Sequence, residues 1–189
     1  MTGDPEADEL LNTDGLALLI GMLLDQQVPM EWAFRGPATL RERLGTLDAT
    51  AIAAMDVEQL VAAFVAKPAL HRYPAAMARR THALCQHIAE RYGGDAPAIW
   101  RDVTSGHELY ARLRGLPGFG EEKAQIFLAL LAKRMGHAPE GWAECAGVFA
   151  DDTPRSVADI DGPAALARVR DFKKAMKAAK RDKQGRPQA

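Results

Sequence analysis

The chain has 189 residues, of which 48% are hydrophobic, so it can bury a core as one compact domain or as one domain with a small extension. Its apolar runs are too short to cross a bilayer and no charged-then-apolar leader opens it, which predicts a cytoplasmic protein. Two distant cysteines, Cys85 and Cys145, exclude a zinc ribbon and an iron–sulfur cluster held by four thiolates.

Apolar residues recur at helical spacing along most of the chain. The first face runs through Leu16–Leu24 and ends at Gln27, with Thr13 or Asp14 as the expected N-cap. Sustained alternation of β-branched residues, which a half-buried strand needs, is missing. We therefore predict an all-α bundle, with further helix faces at Leu60–Val65, Met77–Tyr92, Leu109–Leu113 and Ala124–Met135.

Proline and glycine clusters separate the predicted helices. They stand at "RGP" (35–37), "KPALHRYP" (67–74), "GGDAP" (93–97), "GLPGFG" (115–120) and "GHAPEGW" (136–142). After Pro139 the pattern is mixed until Pro163, which can start a last helix with Val169, Phe172 and Met176 on its inner face. We predict a helical domain over residues 1–138, followed by an irregular segment and a basic C-terminal helix over residues 139–189.

Positive charge is concentrated near the end of the chain. Residues 168–186 hold nine lysines and arginines against Asp171 and Asp182, a net charge of +7, which leaves −8 on the rest of the chain. Such a segment is usually a solvated helix, and less often a contact with nucleic acid or another acidic surface.

The stretch "LPGFGEEKA", residues 116–124, connects a short predicted helix to a long one. Its glycines allow a tight turn, and the backbone N–H groups of Phe119, Gly120 and the next helical turn have no partner inside the helix. The helix dipole also favours an anion there, so a DNA phosphate would fit without any base being read. The alternative is a helical hairpin whose glycines only close the turn.

This stretch resembles the helix-hairpin-helix signature, and other features of the chain are similar to the same family. "LLIGMLLDQQVP" (18–29) resembles the helix that opens the endonuclease III-like DNA glycosylases, and "KPALHRYPAAMARRTHAL" (67–84) follows at a similar spacing. The resemblance covers about residues 15–136 and identifies the HhH-GPD superfamily. It implies an all-α fold, a role in base excision repair and double-stranded DNA as the partner.

The resemblance also implies site residues. Gln27 matches the glutamine that fills the gap left by a flipped nucleotide, where its amide can both donate to and accept from the orphaned base; otherwise it is a polar residue ending a helix. Gly118, Phe119 and Gly120 match the amides that hold a DNA phosphate, with help from a monovalent cation at the hairpin carbonyls. Lys123 is assigned to DNA binding.

The chain departs from the bifunctional members where they carry a nucleophilic lysine. Here that position holds Glu122. Lys123 comes one residue later, and one step along a helix turns a side chain by about 100°, so we do not assign Lys123 as the nucleophile. The departure removes the lyase step and leaves the glycosylase step.

The catalytic carboxylate of the family stands at the start of the helix that follows the hairpin helix. The nearest sequence match is Asp152 in "FADDTPRSV", where it would stabilise the sugar cation or activate water. Equally, Asp151 or Asp152 can cap a helix with Pro154 in its first turn. Glu140 is a third candidate by spacing alone.

Two functions remain open. The first is a monofunctional DNA N-glycosylase, a hydrolase that leaves an abasic site. The second is a non-catalytic helix-hairpin-helix protein that recognises distorted or damaged duplex. The histidines show no metal-ligand spacing and are expected at the surface or at caps, and the three tryptophans are expected in the core. Arg72, Tyr73, Arg79 and Arg80 can line a DNA-facing loop or a solvated helix face.

Overall fold

A computed structural model describes residues 2–187, and within them the protein is all-α, as predicted. No strand forms among these residues, which hold only two isolated β-bridges. Short 3₁₀ helices occupy Ala96–Ile99, Gly147–Ala150 and Val157–Asp159. The α-helices are α1 (Pro5–Thr13), α2 (Gly15–Leu24), α3 (Met30–Leu44), α4 (Ala49–Ala54), α5 (Val57–Val65), α6 (Pro74–Tyr92), α7 (Gly106–Arg114), α8 (Glu121–Arg134), α9 (Trp142–Ala146) and α10 (Pro163–Ala178).

Aspartate side chains begin several of the N-terminal helices. Asp4, Asp14, Asp48 and Asp56 each accept a hydrogen bond from a backbone N–H in the first turn of α1, α2, α4 and α5. These bonds satisfy donors that a helix leaves open at its start. The prediction of Asp14 as an N-cap is confirmed.

The first of two compact units comprises Thr2–Asp102 and Gly115–Phe119. Its centre is α2, in which every residue from Leu16 to Leu24 is buried, and which packs against α3, α6 and the 3₁₀ helix Ala96–Ile99. Helices α2 and α3 approach closely, because a Cβ on Gly21 would lie 2.6 Å from Phe34 Cδ1 and one on Gly36 would lie 2.6 Å from Leu24 Cδ1. A sequence that is apolar on all sides is what a fully enclosed helix requires.

The predicted break at "RGP" is wrong. Gly36 and Pro37 lie inside α3, and both are buried. A proline in a helix interior removes one hydrogen bond and costs about 3 kcal/mol. Here the buried stripe that Pro37 shares with Ala33, Phe34 and Leu40 keeps the helix continuous.

The second unit comprises Val103–Arg114 and residues 120–187. Helix α8 is its core, since all residues from Ile126 to Leu131 are buried, and it packs against α7, α9 and the 3₁₀ helix Val157–Asp159. At the far end of α8, Lys133 Nζ lies 2.7 Å from Asp159 Oδ1, and both side chains are largely covered.

The segment after α8 is more ordered than the sequence pattern indicates. The range 139–162, expected to be irregular, forms α9 and two 3₁₀ helices. Pro163 begins α10, as predicted, and Val169 is fully buried on the inner face of that helix. The division at residue 138 stays a prediction. Within the described chain, no helix has the length and apolar character needed to cross a membrane.

Candidate nucleic-acid interface

A six-residue loop, residues 115–120, joins α7 to α8. Phe119 N–H donates to the Leu116 carbonyl at 3.0 Å, which closes the turn. The side chains of Leu116 and Phe119 are buried, while Gly118 and Gly120 are exposed. The loop is therefore held by two apolar side chains, while the backbone at Gly118 and Gly120 remains accessible to solvent.

Gly118 is required by the packing of this loop. Its φ is +82°, in the left-handed region that favours glycine. A Cβ at this position would lie only 2.4 Å from Cδ1 of Leu23, a fully buried residue of α2. The first glycine of the signature thus has a structural reason to be present, whether or not it meets a phosphate.

The open backbone donors lie after Phe119, not at it. The Phe119 N–H is used inside the turn, so its contact with a phosphate stays a prediction. Gly120 is the N-cap of α8 and provides no side-chain cap. Among the described residues, the N–H groups of Gly120, Glu121 and Glu122 have no acceptor, and the first helical bond runs from Ala124 N–H to the Gly120 carbonyl. Three donors are thus grouped at a positive helix end.

Glu122, at the position of the family's lysine, contacts the C-terminal end of the chain. Its Oε1 lies 3.3 Å from Lys183 Nζ, and its Oε2 accepts a hydrogen bond from Gln184 Nε2 at 3.5 Å. Lys123 follows it in the first turn of α8 and is half-buried. Its predicted role in DNA binding stays a prediction.

Gln27 lies beyond α2, which ends at Leu24, so its predicted place on that helix face is wrong. It is exposed and has φ +55°, a conformation that a residue other than glycine adopts only where its surroundings impose it. The neighbouring residue Gln26 holds this turn in place. Its side-chain Nε2 donates to the Leu23 carbonyl at 3.0 Å and to Met77 Sδ at 3.2 Å. The role of Gln27 in DNA binding remains a prediction.

His71 also holds this turn, and sequence reasoning missed it. The side chain is 1% exposed, although the histidines were expected at the surface or at caps. Its Nδ1 accepts from Tyr73 N–H at 3.0 Å, so Nε2 carries the proton that it donates to the Gln26 carbonyl at 3.0 Å. In the sequence this segment is marked by its two prolines and by its resemblance to the family, and neither feature indicates that His71 is buried.

Exposed aromatic rings flank His71. The ring centroids of Trp32 and Tyr73 lie 6.5 and 6.1 Å from that of His71, and both side chains are more than 40% exposed. The placement of Trp32 in the core is therefore wrong, whereas Trp100 is buried as expected. Arg72 lies over the Tyr73 ring. This exposed aromatic and basic surface belongs to the same unit as Gln27.

The two aspartates at 151 and 152 have different surroundings. The hydrogen bond from the Arg155 side chain, with further bonds from Thr153, outweighs burial and lowers the pKa of Asp151 to about 2. Asp152 is exposed and lines a cavity of about 420 Å³ together with Arg134, Trp142 and Asp161. No α-helix starts at Pro154, so the helix-cap alternative is wrong; the following 3₁₀ helix is capped by Ser156.

Glu140 lies two residues before α9, the helix that follows the hairpin helix α8. Its backbone is fixed on both sides, because its N–H donates to the Thr104 carbonyl at 2.9 Å and its carbonyl accepts from Gly106 N–H at 2.7 Å. The segments are so close that a Cβ on Gly106 would lie 2.5 Å from Trp142 N. The exposed Glu140 carboxylate therefore projects from a well-determined backbone.

The predicted site residues fall in both units. Gln27, Gly118 and Phe119 belong to the first unit, whereas Gly120, Lys123 and Asp152 belong to the second, together with Glu122 and Glu140. Cys85 is buried in the first unit, and Cys145 is half-buried in the second; both are free thiols. Among residues 2–187, no group of three or more His, Cys, Asp or Glu side chains is arranged to hold a metal ion.

Comparison with known proteins identifies the family. No curated protein and no solved structure matches the chain. The model of the HhH-GPD superfamily of base excision DNA repair proteins matches residues 20–170, which includes the Gln27 turn, the hairpin and both candidate carboxylates at 140 and 152. Because this match covers most of the chain, the protein belongs to the HhH-GPD superfamily of base excision DNA repair proteins.

Proposed function

We propose that this protein is a monofunctional DNA N-glycosylase. The observation that carries the proposal is a helix-hairpin-helix turn with three open N–H donors, in which a glutamate replaces the amine nucleophile of bifunctional members. Family membership supports DNA as the partner, and the proposal takes damaged or mismatched duplex DNA as the substrate class. The Gly120, Glu121 and Glu122 amides would hold one backbone phosphate and so position the duplex without reading its sequence.

The replaced residue determines the type of reaction. A carboxylate at 122 cannot form an imine with the sugar, so water has to be the nucleophile. In the proposed step the C1′–N bond breaks with its electron pair going to the base, and the water oxygen bonds to C1′. The proton lost by water passes through a protein carboxylate to the departing base. The product is an abasic site with an intact backbone.

Two carboxylates can assist this step, and local geometry favours Glu140 over Asp152. Glu140 stands just before the helix that follows α8, which is where the family places its carboxylate, and its backbone is anchored to Thr104 and Gly106. Asp152 lies in a turn outside any helix. Its cavity of about 420 Å³ is nevertheless large enough for a planar base against Trp142. Asp152 is therefore kept as the second candidate for the catalytic carboxylate.

Gln27 is proposed to fill the space that a flipped nucleotide leaves. Its side chain is exposed on a turn held by Gln26 and His71, and an amide can pair with any orphaned base edge. A rigid turn reduces the conformational entropy lost when such a side chain enters the duplex.

The second candidate is a non-catalytic protein that binds distorted DNA. The observation in its favour is that Glu122 contacts Lys183 and Gln184, so the position used for chemistry in bifunctional relatives is engaged by the chain itself. Both candidates predict duplex binding that weakens with salt, because phosphate contacts release counterions. Only the glycosylase predicts an alkali-labile product.

A panel of duplexes with alkylated, oxidised, deaminated and mismatched bases tests the proposal. Strand breakage is scored after alkali, with wild type, Glu140→Gln and Asp152→Asn assayed side by side. We expect alkali-dependent cleavage of one lesion class that Glu140→Gln abolishes and Asp152→Asn retains. Loss in Asp152→Asn alone would transfer the role to that residue. Tight binding without base release on any substrate would favour the non-catalytic protein.

Borohydride trapping tests the absence of lyase chemistry. Wild type should form no covalent complex with a substrate that it processes. A trapped complex that disappears in Lys123→Ala would show that the amine next to Glu122 reaches C1′ and that the assignment of a monofunctional enzyme is wrong.

A further inference from the structure

The basic end of the chain is folded into a defined turn, residues 181–187, which we name the C-terminal turn. Asp182 organises it, because its carboxylate accepts three hydrogen bonds. Two come from the backbone N–H groups of Gln184 and Arg186, at 2.8 and 2.9 Å, and one comes from Arg186 Nε, at 2.7 Å. Gly185, at φ +80°, closes the reversal, and its carbonyl accepts from Arg181 Nη1. The basic segment is thus not one continuous helix, because α10 ends at Ala178 and a defined turn follows.

The C-terminal turn is fixed to the rest of its unit through Arg155. This guanidinium donates to the Lys183 carbonyl at 3.3 Å and to Asp151 Oδ2 at 2.8 Å, and it lies over the Phe172 ring of α10 at 5.5 Å. The Arg155 side chain is only 16% exposed, which favours these contacts over solvation. The backbone of Lys183 therefore has a determined position.

That position is beside the acids of the hairpin helix. The Lys183 ammonium lies 3.3 Å from Glu122 Oε1, and the Gln184 amide contacts the other oxygen. Arg186 is close enough to interact with the same acids. The pKa of its guanidinium is raised, first by the hydrogen bond to Asp182 and then by the charges of Glu122 and Glu121. Residues more than 60 positions apart in sequence thus form one electrostatic group.

The contact between Lys183 and Glu122 reduces the negative charge at the start of α8, where a DNA phosphate is proposed to bind. Glu121 and Glu122 stand in the first turn of α8, where they oppose a phosphate at the neighbouring N–H groups. Lys183 neutralises one of the two, and Arg181 brings further positive charge on the same turn, whereas Arg186 is paired with Asp182. A cation that touches one acid and is 31% exposed can share a phosphate oxygen as well.

We infer that the C-terminal turn is a second phosphate-binding element, coupled to the hairpin through the Lys183–Glu122 ion pair, and that its partner is the sugar–phosphate backbone of duplex DNA next to the phosphate held by the hairpin. The inference rests on the DNA binding of the proposed function. It requires that removing Lys183 both deletes a phosphate contact and exposes the charge of Glu122. Glu122→Gln should relieve the exposed charge and leave the loss of the phosphate contact.

The test is a double-mutant cycle on duplex affinity, measured by fluorescence anisotropy over a KCl series with a duplex that holds a stable abasic analogue. The variants are Lys183→Ala, Glu122→Gln, the pair together, and Lys183→Arg. Lys174→Ala is the matched control, because Lys174 is an exposed lysine of the same basic segment outside the turn. Thermal unfolding of each variant verifies that it is folded.

We expect Lys183→Ala to weaken binding roughly tenfold at ~0.1 M salt and to reduce the slope of log K against log[salt] by about one. In the Glu122→Gln background, the loss of duplex affinity caused by Lys183→Ala should be smaller by a factor of at least about two, since the two residues are coupled. Lys183→Arg should bind like wild type, and Lys174→Ala should change affinity by less than about twofold.

Four outcomes would overturn the inference. Lys183→Ala and Lys174→Ala could lose equal amounts of duplex affinity, with the effects of Lys183→Ala and Glu122→Gln strictly additive. The turn would then bind DNA only as part of a general basic tail. Tighter binding by Lys183→Ala would make the turn an obstacle to DNA. No duplex binding by wild type would remove the proposed function itself, whereas unchanged binding by Lys183→Ala alone leaves that function intact.

Discussion

Alanine at Gly118 should destabilise the protein, and two independent costs combine in that change. An L-residue at φ +82° is strained by roughly 1–2 kcal/mol. The new Cβ would also lie 2.4 Å from Leu23 Cδ1, and Leu23 cannot swing away because it is fully buried. Fitting an extra methyl group into a packed core costs about 1–3 kcal/mol. The free energy of unfolding should therefore fall by about 2–5 kcal/mol.

Thermal unfolding followed by circular dichroism measures this loss. For a chain of this length 1 kcal/mol corresponds to about 2–4 °C, so the Tm of Gly118→Ala should be lower by at least roughly 4 °C. Gly120→Ala is the control, because Gly120 has φ −78° and a Cβ added there would have no neighbour within 4 Å. It should cost less than about 1 kcal/mol, and any loss of duplex affinity in it then reflects the phosphate contact.

A second background separates the two costs. Leu23→Val removes Cδ1, so Gly118→Ala should be at least about 1 kcal/mol less harmful in a Leu23→Val protein than in wild type. Strict additivity would refute the steric part of the reasoning. A wild-type Tm for Gly118→Ala would refute both parts.

Three further predictions concern charge, thiols and backbone strain. Because its carboxylate is favoured in the folded state, Asp151 contributes stability that is present above about pH 4 and is lost as pH falls toward 2. This contribution is below about 1 kcal/mol because the Asp151 side chain is 45% exposed and water screens its pair with Arg155. Arg155→Ala should move the pKa of the Asp151 carboxyl, followed by NMR, back toward 3.8. Burial raises the pKa of Cys85 to about 12, so iodoacetamide should alkylate Cys145 in the native protein well before Cys85, as peptide mass spectrometry would record; equal rates would contradict the buried position of Cys85. Gln27→Gly relieves a positive φ and should raise the free energy of unfolding by up to about 1 kcal/mol while weakening binding to an abasic duplex; a loss of stability would show that the side chain, not the backbone, determines the turn.

Helix content and the hairpin could be read from the sequence because both depend on near neighbours. The apolar face at Leu16–Leu24, the Asp14 cap and the Pro163 start involve contacts within a few residues, and the structure confirms each of them. The "LPGFG" turn is local in the same way, and the family match agrees with the resemblance. Base excision repair as the family's role was therefore accessible from the chain alone.

Helix ends and the use of individual polar groups depended on distant contacts. The sequence pattern predicted a break at Pro37, but burial against α2 keeps α3 intact. It extended α2 to Gln27, whereas a turn forms there instead, held because the Gln26 side-chain amide donates to Met77 Sδ and the Gln26 carbonyl accepts from His71. Hydrogen bonds between residues about fifty positions apart leave no periodic trace in a single chain.

The acids after the hairpin show most clearly what only the tertiary structure decided. From the sequence, Glu122 is a missing lysine and two negative charges stand where a phosphate should bind. The fold brings Lys183 to 3.3 Å from Glu122, through a turn that Asp182 and Arg155 hold in place. Local spacing determined that the hairpin and its helix would form. The charges that lie together at the start of α8 come from chain segments that only folding brings together.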